Sequence, residues 1–246
     1  MKILGIDVGG SGIKGAPVDV VKGEILSERH RIATPQPADP ENVCQTVAMI
    51  AAFFNWQRAI GCGFPGVVKD EVALTAANID KSWIGVNIAE NISQKTKCPV
   101  HVLNDVDAAG LAEAEFGAGK DHPGVVLVLA FGTGIGSTLL IDGVQIPNTE
   151  LGHLFFRDGI AEHYCSNAIR KQEELSWEAW GARVNDYLSH VERLFYPDLI
   201  IIGGGVSKYH QEYFPYLHTK ADLVPAQMRN NAGIIGAACS AKALSI

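Results

Sequence analysis

The sequence contains few cysteines and no long apolar run, and each of these absences excludes a class of protein. Five cysteines are scattered along 246 residues, and none forms a Cys-x-x-Cys pair. This odd, dispersed set predicts neither a disulfide framework nor a zinc cluster, and it favours a reducing, cytoplasmic environment. No apolar stretch reaches the roughly 18 residues of a membrane-spanning helix. Residues 1–10 lack the pattern of a signal peptide.

Basic residues are outnumbered by acidic ones. The chain has 20 Lys and Arg against 27 Asp and Glu, which gives a net charge of −7. This balance argues against a general nucleic-acid binder or a membrane-surface protein. Hydrophobic residues make up 47% of the chain, which is ordinary for a folded globular protein. The length allows one large domain or two small ones.

Neither of the common nucleotide-binding loops is present in a usable form. Residues 10–15 match G-x-G-x-x-G, but a dinucleotide fold needs a helix directly after that motif. Pro17 and the β-branched residues that follow it oppose a helix, so a second strand is predicted instead. The sequence G-x-x-x-x-G-K-[ST] does not occur, which excludes a P-loop protein.

A glycine-rich turn between two apolar runs occurs twice in the chain. The first turn, at residues 9–12, includes Ser11 and precedes Lys14, and the second, at residues 132–136, includes Thr133. Such turns let backbone N–H groups approach an anion, although they also simply permit tight hairpins. The repeat predicts a duplicated α/β unit, and two unrelated hairpins are the alternative. A third glycine turn, residues 203–205, follows an apolar strand.

The remaining apolar spacing predicts alternating helices and strands, which indicates an α/β protein. Helices are predicted over residues 41–54, 86–96, 106–116, 177–195 and 232–244, and further strands over 24–32, 59–64, 100–103 and 199–202.

Several polar residues lie where chemistry is expected. Asp7 ends the first predicted strand before a glycine turn, where it either caps the turn or faces phosphate through a metal ion. Asp105 lies between a strand and a helix. It is therefore either a helix cap, a role open equally to Asn104 or Asp107, or a catalytic carboxylate at the carboxyl end of a strand. Glu150 and His153 form a natural pair of sugar-hydroxyl ligands, or else His153 is structural.

Six short motifs follow one another in a particular order. They occupy residues 6–14, 63–68, 104–105, 132–136, 150–153 and 203–206. In this order they resemble the ROK (repressor, open reading frame, kinase) family of actin-like sugar kinases. Two further segments, residues 75–85 and 175–178, more narrowly resemble its polyphosphate-dependent glucokinases. The resemblance spans nearly the whole chain and implies an actin-like ATPase (ribonuclease H-like) α/β fold. It implies two duplicated domains around a central cleft, residues 1–106 and 107–230, with a helix over 231–246 joined to the first.

The resemblance also implies roles for individual residues. The implied reaction transfers a phosphoryl group from inorganic polyphosphate, or alternatively from ATP, to the 6-hydroxyl of glucose. Asp105 matches the catalytic base, and Asp7 matches the acid that holds Mg²⁺ through water. The implied sugar ligands are Pro65, Gly66, Asn78, Asn104, Asp105, Glu150 and His153, with Glu162 as the candidate for a second glutamate. The implied phosphate-binding residues are Asp7, Gly9, Gly10, Ser11, Gly12, Lys14, Gly132, Thr133, Gly134, Gly204 and Gly205.

The chain departs from many family members in one respect. They carry a Cys-rich zinc motif soon after the Glu-x-Gly-His segment, whereas here only Cys165 follows it. No zinc is therefore expected, as in the polyphosphate-dependent subgroup. A sugar-binding regulator and an actin-like filament are the alternatives to an enzyme. Partners other than small molecules are not expected, except a possible homodimer.

The phosphoryl donor divides the two enzyme hypotheses. An adenine pocket needs apolar walls, whereas a long polyphosphate chain needs basic groups along its path. Candidates for such groups, which are otherwise solvated surface charges, are Lys14, Lys81, Arg157, Arg170, Lys171 and Lys208.

Overall fold

The computed structural model describes residues 1–245, which form two compact units. Unit 1 comprises Met1–Ala112 and the segment that begins at Asn231, and unit 2 comprises Glu113–Asn230. The elements that begin in the first part of unit 1 are β1 (Lys2–Gly9), β2 (Gly12–Asp19), β3 (Glu24–Ile25), β4 (His30–Ile32), α1 (Pro40–Phe53), β5 (Ile60–Phe64), β6 (Val68–Lys69), β7 (Val72–Ala73), α2 (Ile88–Thr96), β8 (Val100–Asn104) and α3 (Asp105–Phe116).

Unit 2 follows as one continuous segment, and one more helix then belongs to unit 1. The elements are β9 (Val125–Phe131), β10 (Ile135–Ile141), β11 (Val144–Ile146), β12 (Phe155–Phe156), β13 (Gly159–Ile160), α4 (Glu162–Cys165), α5 (Asn167–Gln172), α6 (Trp177–Phe195), β14 (Leu199–Gly203), α7 (His210–Tyr213), β15 (Asp222–Pro225) and α8 (Ala232–Ser240). Short 3₁₀ turns cover Lys81–Trp83, Leu151–His153, Ser207–Tyr209, Phe214–Tyr216, Arg229–Asn231 and Lys242–Ser245.

The two units contain sheets of the same topology. Sheet 1 has the order β3-β2-β1-β5-β8, with β4 also on β2, and sheet 2 has the order β11-β10-β9-β14-β15. In each sheet the first long strand pairs antiparallel with the next strand and parallel with a later one, which is itself parallel to the edge strand. The repeated hairpin predicted from the sequence is therefore present in both units, as the start of the same sheet.

The strand predicted over residues 24–32 is broken in two. β3 pairs Ile25 with Val18 in β2, and the next residue, Leu26, donates its N–H to Pro17 O at 2.8 Å. Pro17 has no N–H to return the second bond of this pair, so the ladder stops there. β4 then pairs with β2 in a register shifted by two residues.

Capping side chains explain most of the other differences at helix ends. α2 begins at Ile88 rather than at residue 86 because Asn87 Oδ1 accepts the N–H of Glu90 at 2.9 Å. The long helix α6 begins after Ser176, whose Oγ accepts the N–H of Ala179, and Trp180 on its apolar stripe is fully buried, as predicted. α8 ends at Ser240, four residues before the predicted end.

The C-terminal helix α8 lies against sheet 1 with its backbone in direct contact. A Cβ built on Gly5 in β1 would lie 2.0 Å from Ile234 O, and one on Gly61 in β5 would lie 1.7 Å from Ala237 O. A Cβ on Gly236 of α8 would lie 1.6 Å from the carbonyl oxygen of Ala108 in α3. Glycine is therefore required on both sides of this contact.

None of the helices within residues 1–245 is both long and apolar enough to span a bilayer.

Candidate active site

The first glycine turn joins β1 and β2 at the carboxyl edge of sheet 1. The sequence predicts that the first strand ends at Asp7, but β1 continues to Gly9, and β2 begins at Gly12. Asp7 is therefore a cross-strand partner of Lys14, and its Oδ2 lies 3.3 Å from Lys14 Nζ. The ion pair places a carboxylate and an ammonium beside the two-residue turn.

A second basic side chain lies at this turn, that of Arg31, and the sequence did not predict it there. Arg31 in β4 donates from Nη2 to Ser11 O at 2.8 Å, and its guanidinium lies directly against Gly12. Thr34 also donates its hydroxyl to Gly9 O. Arg31 reaches the turn only because β4 resumes pairing with β2 after the break, and no sequence spacing signals that return.

The helix that follows β8 is capped by Asn104 and not by Asp105. Asn104 Oδ1 accepts the N–H groups of Val106 at 2.8 Å and Asp107 at 3.0 Å. Its Nδ2 donates to Gly66 O at 3.0 Å, and only 8% of the residue is exposed. The capping role considered for Asp105 is thus filled by its neighbour, so Asp105 is the first residue of α3.

The predicted sugar-binding loop lies at the same edge of unit 1. Ala77 donates its N–H to Pro65 O at 2.9 Å, which fixes the loop to the end of β5. Asn78 follows in the left-handed conformation, with φ 58°. A Cβ on Gly10 would lie 2.9 Å from Asn78 O, so the loop contacts the first glycine turn.

Asp7 and Asp105 both lie beside Gly63 of β5. Gly63 is the register partner of Asp7, and a Cβ on Gly63 would lie 3.4 Å from Asp105 Cα. Gly233 of α8 packs on Asp7 from another side, since its Cβ would be 3.3 Å from Asp7 Cγ. The two acids singled out from the sequence are therefore neighbours of one residue at one sheet edge.

Unit 2 holds His153 between two glutamates. His153 Nδ1 lies 3.3 Å from Glu150 Oε2, and His153 Nε2 lies 3.7 Å from Glu162 Oε1. Glu162 Oε2 accepts the N–H of Ile135 at 3.2 Å and lies against Gly134 of the second glycine turn. The three polar side chains predicted to bind sugar in this unit therefore form one cluster beside that turn.

The second and third glycine turns are neighbours. β9 and β14 are parallel, with Gly203 in register with Ala130, so the turns that follow them lie side by side. Gly204, at φ 78°, packs on the backbone of Phe131, where its Cβ would be 2.5 Å from the oxygen. No atom lies within 4 Å of the position of a Cβ on Gly205. Bare backbone is thus presented at the carboxyl edge of sheet 2.

The structure brings the predicted residues together in two groups, one in each unit. Unit 1 holds Asp7, Gly9, Gly10, Ser11, Gly12, Lys14, Pro65, Gly66, Asn78, Asn104 and Asp105. Unit 2 holds Gly132, Thr133, Gly134, Glu150, His153, Glu162, Gly204 and Gly205.

The donor set suits a loosely held magnesium ion. Within residues 1–245, no three or more His, Cys, Asp or Glu side chains are arranged as a metal cluster. Mg²⁺ in phosphoryl-transfer sites keeps several waters and takes one or two carboxylates together with substrate phosphates. Asp7, beside a glycine turn and partly exposed, fits that role. The absence of zinc stays a prediction.

A repeated sheet that carries a glycine turn at the same edge of each unit defines the actin-like ATPase fold. Within that class the chain belongs to the ROK family, which matches it over residues 3–168. The polyphosphate glucokinase of Mycobacterium tuberculosis (strain ATCC 25618 / H37Rv) is 44% identical over 241 residues, 98% of this chain and 91% of the relative.

Two solved structures are similar along nearly the whole chain. The inorganic polyphosphate/ATP-glucomannokinase of Arthrobacter sp. strain KM superposes with a TM-score of 0.93 at 46% identity, covering 97% of each chain. A ROK family glucokinase from Streptomyces griseus, in complex with glucose and AMPPNP, superposes with a TM-score of 0.83 at 25% identity, covering 99% of this chain and 100% of that one.

Proposed function

We propose that this chain transfers a phosphoryl group from inorganic polyphosphate to the 6-hydroxyl of glucose, giving glucose 6-phosphate. The observation that carries the proposal is the place of Asp105 at the carboxyl edge of sheet 1, with helix capping assigned to Asn104. The identity to a polyphosphate glucokinase and to a polyphosphate/ATP-glucomannokinase, at 44% and 46%, supports the substrate class.

Asp105 acts as the general base. Its carboxylate takes the proton of the sugar 6-hydroxyl while that oxygen attacks the terminal phosphorus. The new O–P bond forms as the bridging P–O bond breaks, and the polyphosphate leaves one phosphate shorter. Such a transfer depends mainly on positioning and on neutralisation of charge.

The other predicted residues bind and orient the two substrates. Glu150 and Glu162 accept hydrogen bonds from sugar hydroxyls, and His153 between them is held in one orientation. Backbone N–H groups of the glycine turns and the ammonium of Lys14 neutralise phosphate oxygens. The kinase relatives imply a divalent metal ion in general. We assign Mg²⁺ to Asp7, where it would neutralise phosphate charge when bound.

The donor is tested by measuring glucose 6-phosphate formation with Mg²⁺ and either polyphosphate or ATP. Activity with polyphosphate, alone or together with activity with ATP, is the expected result. Activity with ATP only would contradict the proposed donor and leave a glucokinase of the ordinary kind. Absence of product with either donor would contradict the assignment of the activity itself.

The role of Asp105 is tested by the substitution Asp105→Asn. We expect kcat to fall by roughly 10²- to 10⁴-fold, because the amide cannot accept the proton. Glucose binding, measured by calorimetry, should persist. Asp70→Asn is the matched control, since Asp70 lies in the exposed turn between β6 and β7. Turnover of Asp105→Asn near that of the control would refute the role.

A further inference from the structure

Unit 2 also contains a cavity whose lining residues do not belong to the candidate active site. Its volume is about 370 Å³. It contains two basic side chains and no acidic one. The lining residues are Ser207, His210, Pro225, Ala226, Gln227 and Arg229.

The cavity continues the row of glycine turns at the carboxyl edge of sheet 2. β9, β14 and β15 are neighbouring parallel strands, so the segments that follow them lie in that order. Ala226 donates its N–H to Ile202 O at 2.9 Å, which continues the pairing of β15 with β14 up to the cavity. Strands in a sheet are about 4.8 Å apart, so the cavity begins roughly 10 Å from the second glycine turn.

The segment that carries Arg229 is anchored by a buried carboxylate. Glu113 is 1% exposed, and its Oε1 accepts the N–H of Met228 at 2.7 Å. Its Oε2 accepts the N–H groups of Gln227 at 3.2 Å and of Ala118 at 2.9 Å. Because an ionised carboxylate only accepts hydrogen bonds, three backbone donors satisfy it well. The wall of the cavity is therefore fixed by the fold.

The two basic side chains differ in how they are held. His210 Nδ1 lies 3.0 Å from Ser207 O, and because a carbonyl can only accept, Nδ1 carries the hydrogen. Nε2 is then the other polar atom of the ring. Arg229 has no ion pair or side-chain hydrogen bond within the part of the chain that the structure describes. By contrast, Lys14 and Arg157, two of the basic residues suggested by the sequence, form ion pairs with carboxylates.

We propose that this cavity is a phosphate subsite for the part of the polyphosphate donor that lies beyond the transferred group. Arg229 is its main contact and His210 the second. A guanidinium binds phosphate oxygens in a bidentate manner, and no carboxylate in the lining opposes an anion. A nucleotide base needs more apolar wall than Pro225 and Ala226 supply. The assignment rests on the proposed function, because it names where that donor binds.

The test compares Arg229→Gln with the unchanged protein. We expect the KM for long-chain polyphosphate to rise about tenfold or more, since a charge-assisted contact is lost. The KM for glucose and kcat should stay the same. Tripolyphosphate is too short to reach the cavity while its terminal phosphate is being transferred, so its KM should rise less. Arg229→Lys should restore part of the affinity, which a purely structural role would not predict. Arg193→Gln, at an exposed position of α6 outside this cavity, is the matched control.

Direct binding separates failure of the subsite from failure of the proposed function. Calorimetry with defined-length polyphosphate needs no turnover, so it reports on the subsite even if glucose is not phosphorylated. Weaker binding by Arg229→Gln, with a shallower dependence on salt, supports the subsite. Equal affinity for the two proteins would overturn it. Loss of ATP binding with polyphosphate binding unchanged would also overturn it, because the cavity would then hold a nucleotide.

Discussion

The close contact of α8 with sheet 1 leads to a strong prediction for Gly61→Ala. The new Cβ would lie 1.7 Å from Ala237 O and 2.4 Å from its carbonyl carbon, whereas real Cβ atoms stay at least 3.0 Å from such neighbours. The strand and the helix would therefore have to separate by about 1.3 Å, from 1.7 to 3.0 Å. Both partners are backbone atoms, so no change of rotamer relieves the overlap.

The loss of stability depends on how freely the atoms around this contact can move. Overpacking a well-packed interior costs about 1–3 kcal/mol, and more where the neighbours cannot move. A retreat of α8 would also open its close contacts with Gly5 of sheet 1 and Ala108 of α3, so packing is lost as well as strain added. We therefore expect a loss of at least ~3 kcal/mol, a large part of the ~5–15 kcal/mol that stabilises a typical protein.

Urea unfolding followed by circular dichroism measures this loss. Gly159→Ala is the matched control, because a Cβ there meets no atom within 4 Å. We expect the control to lie within ~0.5 kcal/mol of the unchanged protein. If Gly61→Ala unfolds at the same urea concentration as the control, the backbone contact described for α8 is refuted.

Two further predictions concern thiols and the cap of α3. Burial raises the pKa of the Cys44 thiol to about 12, so only ~10⁻⁴ of it is thiolate at pH 8. Native protein should therefore react with a thiol reagent at least ~100-fold more slowly than protein in urea, and fast labelling of the native Cys44 would contradict its burial. Asn104→Ala should destabilise unit 1 by about 1–3 kcal/mol, because it removes both the cap and the bond to Gly66. Asn104→Ser, whose hydroxyl can still accept the N–H groups at the start of α3, should lose less, and equal thermal midpoints for the two variants would count against the capping role.

Features that depend on neighbouring residues could be predicted from the sequence. The glycine turns follow from Gly, Pro and β-branched residues within a few positions of one another. The stripe of α6 follows from 3.6-residue spacing, and Trp180 is buried as that spacing requires. The place of Asp105 after a strand followed from the same local pattern.

Features that depend on distant pairing could not be predicted. Arg31 contacts Ser11 only after β4 re-registers with β2, twenty positions along the chain. The sequence around Gly61 predicts only a glycine in a strand, because the constraint on it comes from α8, which lies far along the chain. β15 was missed because its four residues, Asp222–Pro225, are too few to show a period. Its recognition as a strand requires β14 beside it.

The discontinuity of unit 1 has a consequence for how the protein is made. A ribosome must synthesise all 118 residues of unit 2, Glu113–Asn230, before α8 emerges to cover Gly5 and Gly61. At roughly 5–20 residues per second this takes about 6–24 seconds. During that time the nascent sheet 1 exposes a face that α8 would bury. Residues 1–112 therefore cannot complete their fold during this interval, and they can bind chaperones or aggregate. Unit 2, which is synthesised after them, can already fold.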